Sequence, residues 1–93
     1  MDNGSDIARD VVVRGMVQGV SYRWTTQQEA ERLRVRGWVR NEPDGSVRAH
    51  LEGEPEQVAE LVAWMRHGPS GAQVESVDER QGEVEGVSGF RAE

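Results

Sequence analysis

The stretch VVVRGMVQGVSYRWTTQQEAERL, residues 11–33, decides the fold. Val11, Val12 and Val13 are consecutive β-branched residues and read as the start of a buried strand, which Val17 extends. From Gln18 to Ser21 the apolar rhythm stops and Gly19 intervenes, so this segment reads as a loop. From Arg23 to about Arg34 the pattern becomes helical. Thr25 and Thr26 stand at its start, Glu29 and Glu31 in its first half, and Ala30 and Leu33 make a narrow inward stripe beside Thr26. Strand, loop and helix in that order are the first half of a β-α-β unit.

The rest of the chain completes the pattern. Gly37-Trp38-Val39-Arg40 is short, aromatic and β-branched, and reads as a strand. Pro43-Asp44-Gly45 is turn chemistry, because proline presets φ and glycine accepts the positive φ that closes a hairpin. Val47, Ala49 and Leu51 alternate with Arg48, His50 and Glu52, predicting a half-exposed strand that Gly53 ends. Pro55 suits a first helical turn, and Val58, Leu61, Val62 and Met65 recur at helical spacing until His67 and Gly68-Pro69 stop it. Residues 72–77 alternate as a strand, 82–89 read as a polar connection, and Phe90 anchors a short last strand. The order is β-α-β-β-α-β with room for one more strand. Right-handed crossovers then put both helices on one face of a four-stranded antiparallel sheet, an α+β, ferredoxin-like sandwich. That plan alone implies no chemistry.

Composition bounds the function. Ninety-three residues make one small domain. The opening MDNGSDIARD is acidic and polar, without the basic and apolar regions of a secretion signal. Residues 1–10 are therefore expected to be a flexible tail, 11–93 the folded domain, and the cytoplasm its location. There is no cysteine and no lysine, which removes thiol and Schiff-base chemistry. A net charge of −6 argues against nucleic-acid binding, and no apolar run is long enough to span a membrane. Yet residues 11–41 carry six arginines against only Glu29 and Glu31. On charge alone that basic island is equally well a solvated helix face.

The loop lies inside the island. The first N–H groups of a helix lack intrahelical partners and, with the helix dipole, favour an anion such as phosphate. Gly19 keeps the backbone accessible, and Arg23 offers a planar fork that matches two phosphate oxygens. Neither the lysine-bearing phosphate loop nor the GxGxxG dinucleotide fingerprint is present. From these residues alone an anion site and a surface arginine both remain open.

Gly15-x-Val17-Gln18-Gly19-Val20-x-Tyr22-Arg23 resembles the first signature of the acylphosphatase family. Gly37-Trp38-Val39-Arg40-Asn41, followed by Asp44-Gly45, resembles its second. The likeness continues through Ala30 and Leu33, Glu52-Gly53 and Gly68-Pro69, covering about Val11 to Val77. It implies hydrolysis of a carboxyl–phosphate anhydride to carboxylate and inorganic phosphate, and no metal or organic cofactor. By the family's pattern Arg23 holds the phosphoryl group with the backbone amides of Gln18, Gly19, Val20, Ser21 and Tyr22. Gly15 supports the loop, and Asn41 positions the attacking water. The family's sheet places its third strand between the first two, so Arg23 and Asn41 must project at one edge.

Other readings stay beside this one. Asn41 is also a common opener of a Pro-Asp-Gly turn. Trp38 and Tyr22 read as packing residues, and neither Trp24 nor Trp64 carries a functional argument. His50 reads as an exposed strand residue, His67 as a helix C-terminal residue, and the C-terminal glutamates as a solvated face; a metal site is not expected. Arg34 stands where the family usually has glycine, and Ala92 where a larger aliphatic residue is usual. A non-catalytic anion- or nucleotide-binding module is the alternative to an enzyme. The expected partners are a small acyl phosphate and inorganic phosphate or a similar anion, with no nucleic acid and no membrane, and a monomer is expected.

Overall fold

The computed structural model describes residues 6–93. Its elements are β1 (Ile7–Met16), α1 (Tyr22–Leu33), β2 (Arg36–Asn41), β3 (Val47–Gly53), α2 (Pro55–Met65), β4 (Gln73–Gln81) and β5 (Phe90–Ala92). The sheet order is β4-β1-β3-β2-β5. β3 pairs antiparallel with both β1 and β2, β4 pairs antiparallel with β1, and β5 lies parallel to β2. The ferredoxin-like α+β plan thus holds, but the sheet has five strands and is mixed rather than four-stranded and antiparallel. The difference arises because the chain leaves β4 at one edge of the sheet and crosses to add β5 at the other.

One face of the sheet is apolar. Val11 and Val13 of β1, Val39 of β2, and Val47, Ala49 and Leu51 of β3 join Ala30 and Leu33 of α1 and Val58, Leu61, Val62 and Met65 of α2 in one buried cluster. Strand alternation sends Asp10, Trp38, Arg40, Arg48, His50 and Glu52 to the opposite face. The thin stripe of α1 includes Thr26, fully buried with its hydroxyl unpartnered among the described residues.

Three expectations need correction. β1 begins at Ile7, so residues 7–10 are strand and not tail; Ala8 is 2% exposed and pairs with Glu52. The charged pair Arg9-Asp10 hid this strand start, and the expected tail's first five residues lie outside the described ones. His50 and Glu52 are not solvated: they are 3% and 0% exposed, on the polar face. His50 Nδ1 lies 2.7 Å from Asp10 Oδ1, and its Nε2 lies 2.6 Å from Glu52 Oε2. A ring that donates from both nitrogens, the imidazolium, satisfies both carboxylates at once. Glu52 also accepts from the N–H groups of Glu85 (2.7 Å) and Gly86 (3.1 Å). The cluster therefore fastens the crossing segment 82–89 under the sheet, where a sequence pattern shows only alternating polar residues.

The backbone at Arg34 accounts for the expectation of glycine there. This residue ends α1 at φ 60° and ψ 34°, and its neighbouring N–H, that of Val35, donates to Ala30 O at 2.8 Å. This left-handed cap is where glycine is favoured. Arg34→Gly relieves the left-handed cost and should stabilise the fold by about 0.5–1 kcal/mol net, read as a higher urea midpoint.

The buried cluster makes stability depend on pH in a definite direction. Burial alone would lower the His50 pKa, but its bonds to Asp10 and Glu52 outweigh burial, and the value stands above the ordinary 6.5. Burial alone would raise Glu52, but the Glu85 and Gly86 N–H groups and His50 outweigh it, and the value stands below the ordinary 4.5. His50 thus stabilises the fold fully below its unfolded value, and the contribution fades as pH rises through the raised one. Glu52 contributes above its unfolded value and fades as pH falls through the lowered one. The network should contribute most between roughly pH 4.5 and 6.5. Urea unfolding across pH should show this maximum in the wild type, and His50→Gln should flatten it.

Candidate active site

The geometry of the site begins with strand directions. β1 and β2 are both antiparallel to β3, and β5 is parallel to β2, so all three end at the same end of the sheet. Met16 ends β1, Asn41 ends β2 and Ala92 ends β5. The loop after β1 and the start of α1 sit at this end as well. A cavity of about 290 Å³ opens there. Gly19, Ser21, Tyr22, Arg23 and Asn41 line it together, with Val17, Trp24 and Ala92 completing its walls.

The loop has an unusual backbone. Gly19 has φ 78°, and Ser21, the residue that precedes α1, has φ 63° and ψ 22°. Left-handed residues in such a turn aim successive N–H groups into one concavity, which is an anion-binding shape. Among the described residues, the N–H groups of Gly19, Val20 and Ser21 donate to no main-chain oxygen outside the regular elements. The Ser21 side chain does not cap the helix. Its main-chain oxygen instead accepts from the Thr25 N–H at 3.0 Å and from Thr25 Oγ1 at 2.7 Å.

Each expected site residue has a distinct place. Gly15 occupies a register shift between β1 and β4 at φ 130°, where a Cβ would lie 2.1 Å from the Gln73 main-chain oxygen. Only glycine fits this approach. Gly19 meets nothing within 4 Å, so its requirement is the positive φ alone. Val20 is half-buried against the core. Tyr22 turns inward: its hydroxyl donates to Met65 O at 2.6 Å and its ring lies 5.9 Å from Trp64. Burial pushes the Tyr22 hydroxyl far above its ordinary pKa, so it stays protonated. Arg23 Nη1 donates to the main-chain oxygen of Glu93. Other arginines of the basic island are spent on carboxylates: Arg32 on Glu29, Arg36 on Asp6 and Arg40 on Glu42. Asn41 is exposed at the strand end, beside the turn it opens.

Two features escaped the sequence. Gln18 does not line the cavity; its Nε2 donates to Glu42 O and Ser46 O, both at 2.9 Å. The loop is thereby pinned to the hairpin that carries Asn41. β5 reaches the site because Gln27 Nε2 donates to Phe90 O (3.2 Å) and the Glu93 N–H to Val39 O (2.8 Å). No local pattern signals either contact, since both join residues far apart in the chain. Away from the cavity, His50, Glu52 and Glu85 come close enough to hold a metal ion. The His50 and Glu52 donors are already taken up by the hydrogen bonds described above.

The acylphosphatase family profile matches residues 9–92. The chain belongs to the acylphosphatase family. An acylphosphatase of Nocardioides sp. is 55% identical over 83 residues, covering 89% of this chain and 84% of the relative. One from Thermococcus kodakarensis is 48% identical over 79 residues, covering 85% and 87%. The solved structure of an acylphosphatase from Coxiella burnetii superposes with a TM-score of 0.92 at 35% identity, covering 96% of this chain and 94% of that one.

Gly15 near the end of β1 and Gly19 in the loop separate strain from collision. Gly19→Ala should cost only the left-handed φ, about 1–2 kcal/mol. Gly15→Ala must also displace the β4 main chain and should cost more. Urea unfolding of the two variants side by side checks the order; equal losses would contradict the close approach at Gly15.

Proposed function

We propose that the chain hydrolyses small acyl phosphates to a carboxylate and inorganic phosphate, in the cavity at the ends of β1, β2 and β5. The observation that carries this reading is the meeting of Arg23 and Asn41 in one cavity with the left-handed loop. In this reading the amides of the segment from Gln18 to Tyr22 and the Arg23 guanidinium hold the phosphoryl oxygens, and Gly15 supports the loop. Asn41, whose amide both donates and accepts, orients the attacking water.

So little hardware suffices for this reaction. Phosphoryl transfer needs charge stabilised on the equatorial oxygens and a nucleophile in line, and little else. The leaving group is a carboxylate with a conjugate acid of pKa about 4, so it departs without a general acid. No side chain at the cavity is a general base near neutrality, which leaves a phosphate oxygen of the substrate to take the water's proton. Acyl phosphates should therefore turn over while alkyl phosphate esters do not. Inorganic phosphate, the product, should occupy the same loop.

Among the described residues no helix is long and apolar enough to cross a membrane. We read the molecule as a monomer, because both helices spend their apolar faces on the sheet. We place it in the cytoplasm, where carboxylates are activated with ATP.

Benzoyl phosphate hydrolysis in EDTA tests the reading. Asn41→Ala should lose about two or more orders of magnitude in kcat. Arg23→Ala should lose both turnover and binding of inorganic phosphate by isothermal calorimetry. A folded wild type without turnover would leave only an anion-binding module.

A further inference from the structure

Among the described residues the large apolar side chains most exposed to solvent are Met16, Trp24 and Val84. Of these, Trp24 lines the cavity. It is 58% exposed, although it follows Arg23 directly in the first turn of α1. Burial in the core does not account for it. Tyr22 and Trp64 pair with each other, and Trp38 stacks on His50, while Trp24 has no such aromatic neighbour among the described residues. A tryptophan more than half exposed at a cavity wall, and paired with no other ring, leaves apolar surface turned to solvent.

The cavity's lining is of two kinds. The loop backbone, Arg23 and Asn41 form the part suited to an anion and its water. Trp24 and Ala92 are the cavity's exposed apolar side chains, while Val17 backs it from the buried core. The whole space of about 290 Å³ corresponds to about ten water volumes, more than a single tetrahedral anion displaces. The remainder is available to whatever the phosphoryl group is attached to.

We propose that Trp24 is the specificity-determining residue of the acyl side, a stacking platform that favours aromatic acyl phosphates over short aliphatic ones. The inference rests on the reading of this cavity as an acyl phosphate site. An aryl ring joined to the carbonyl is flat and extends directly from the reacting anhydride, so it can lie against the indole while the phosphoryl group stays in the loop. Offset stacking of two rings contributes the equivalent of about three- to tenfold in binding beyond burial of area. An acetyl group has no face to stack. Because the contact is made equally before and during reaction, it should act on KM and leave kcat less affected.

The experiment compares kcat and KM for benzoyl phosphate and acetyl phosphate in the wild type, Trp24→Ala and Trp24→Phe. The intrinsic reactivities of the two substrates cancel when their ratio is compared between proteins. In the wild type kcat/KM should favour benzoyl phosphate. In Trp24→Ala that preference should fall about three- to tenfold, chiefly through KM for benzoyl phosphate. Trp24→Phe, which keeps a ring, should recover part of it. An unchanged preference in a folded Trp24→Ala that still hydrolyses both substrates overturns the role of Trp24 and leaves the acyl phosphate reading standing. A folded wild type that hydrolyses neither substrate overturns both.

Discussion

The structure depends on β3 pairing antiparallel with β1 on one side and β2 on the other. Two strands that flank the same antiparallel partner must run in the same direction. The loop after β1 and the last residue of β2 are therefore delivered to one end of the sheet, although Arg23 and Asn41 are 18 positions apart in sequence. The right-handed β-α-β connection then seats the start of α1, with its unpaired N–H groups, at that same end. Gln18 converts this topological meeting into a fixed one by bonding the loop to the turn after Asn41.

The two ends of the sheet have different work. At the end with the cavity Ser21, not a glycine, holds a left-handed conformation beside Gly19, and Arg23 lines the cavity. Strain of this kind persists where the surroundings over-determine it, and it belongs with function more often than with stability. Toward the other end His50 lies buried between two carboxylates, and one of these, Glu52, fastens the crossing segment. That segment must be held, because it returns the chain to β5, whose pairing with β2 brings Ala92 and Glu93 to the cavity. A buried ion pair is a weak source of stability in itself, but losing one partner strands the other. The cluster is better understood as fixing the path of the chain.

The sequence was legible where local chemistry was decisive. Apolar periodicity at Val58, Leu61, Val62 and Met65 placed α2, and Pro43-Asp44-Gly45 placed the hairpin. The resemblance picked out Arg23 and Asn41, which the fold then brings to one cavity. Composition misled where burial is polar: Arg9 and Asp10 concealed the start of β1, and His50 and Glu52 looked solvated because no pattern shows that a distant segment covers them. Trp24 gave no signal either, since an exposed tryptophan and a packed one look alike until the cavity is visible. The glycine that the resemblance leads one to expect at position 34 answers to a left-handed backbone, which arginine meets at φ 60°.

In the proposed reading the loop amides and Arg23 serve the phosphoryl oxygens, the Asn41 amide serves the water, and no acid is needed for the leaving group. The central claim is that this water attacks phosphorus and not the carbonyl carbon. Hydrolysis of benzoyl phosphate in heavy-oxygen water, read by mass spectrometry of both products, tests it most directly. The account predicts that the heavy oxygen enters inorganic phosphate and that benzoate stays unlabelled. Label in benzoate would mean attack at carbon, and would contradict a site in which the loop cradles phosphorus and Asn41 aims the water at it.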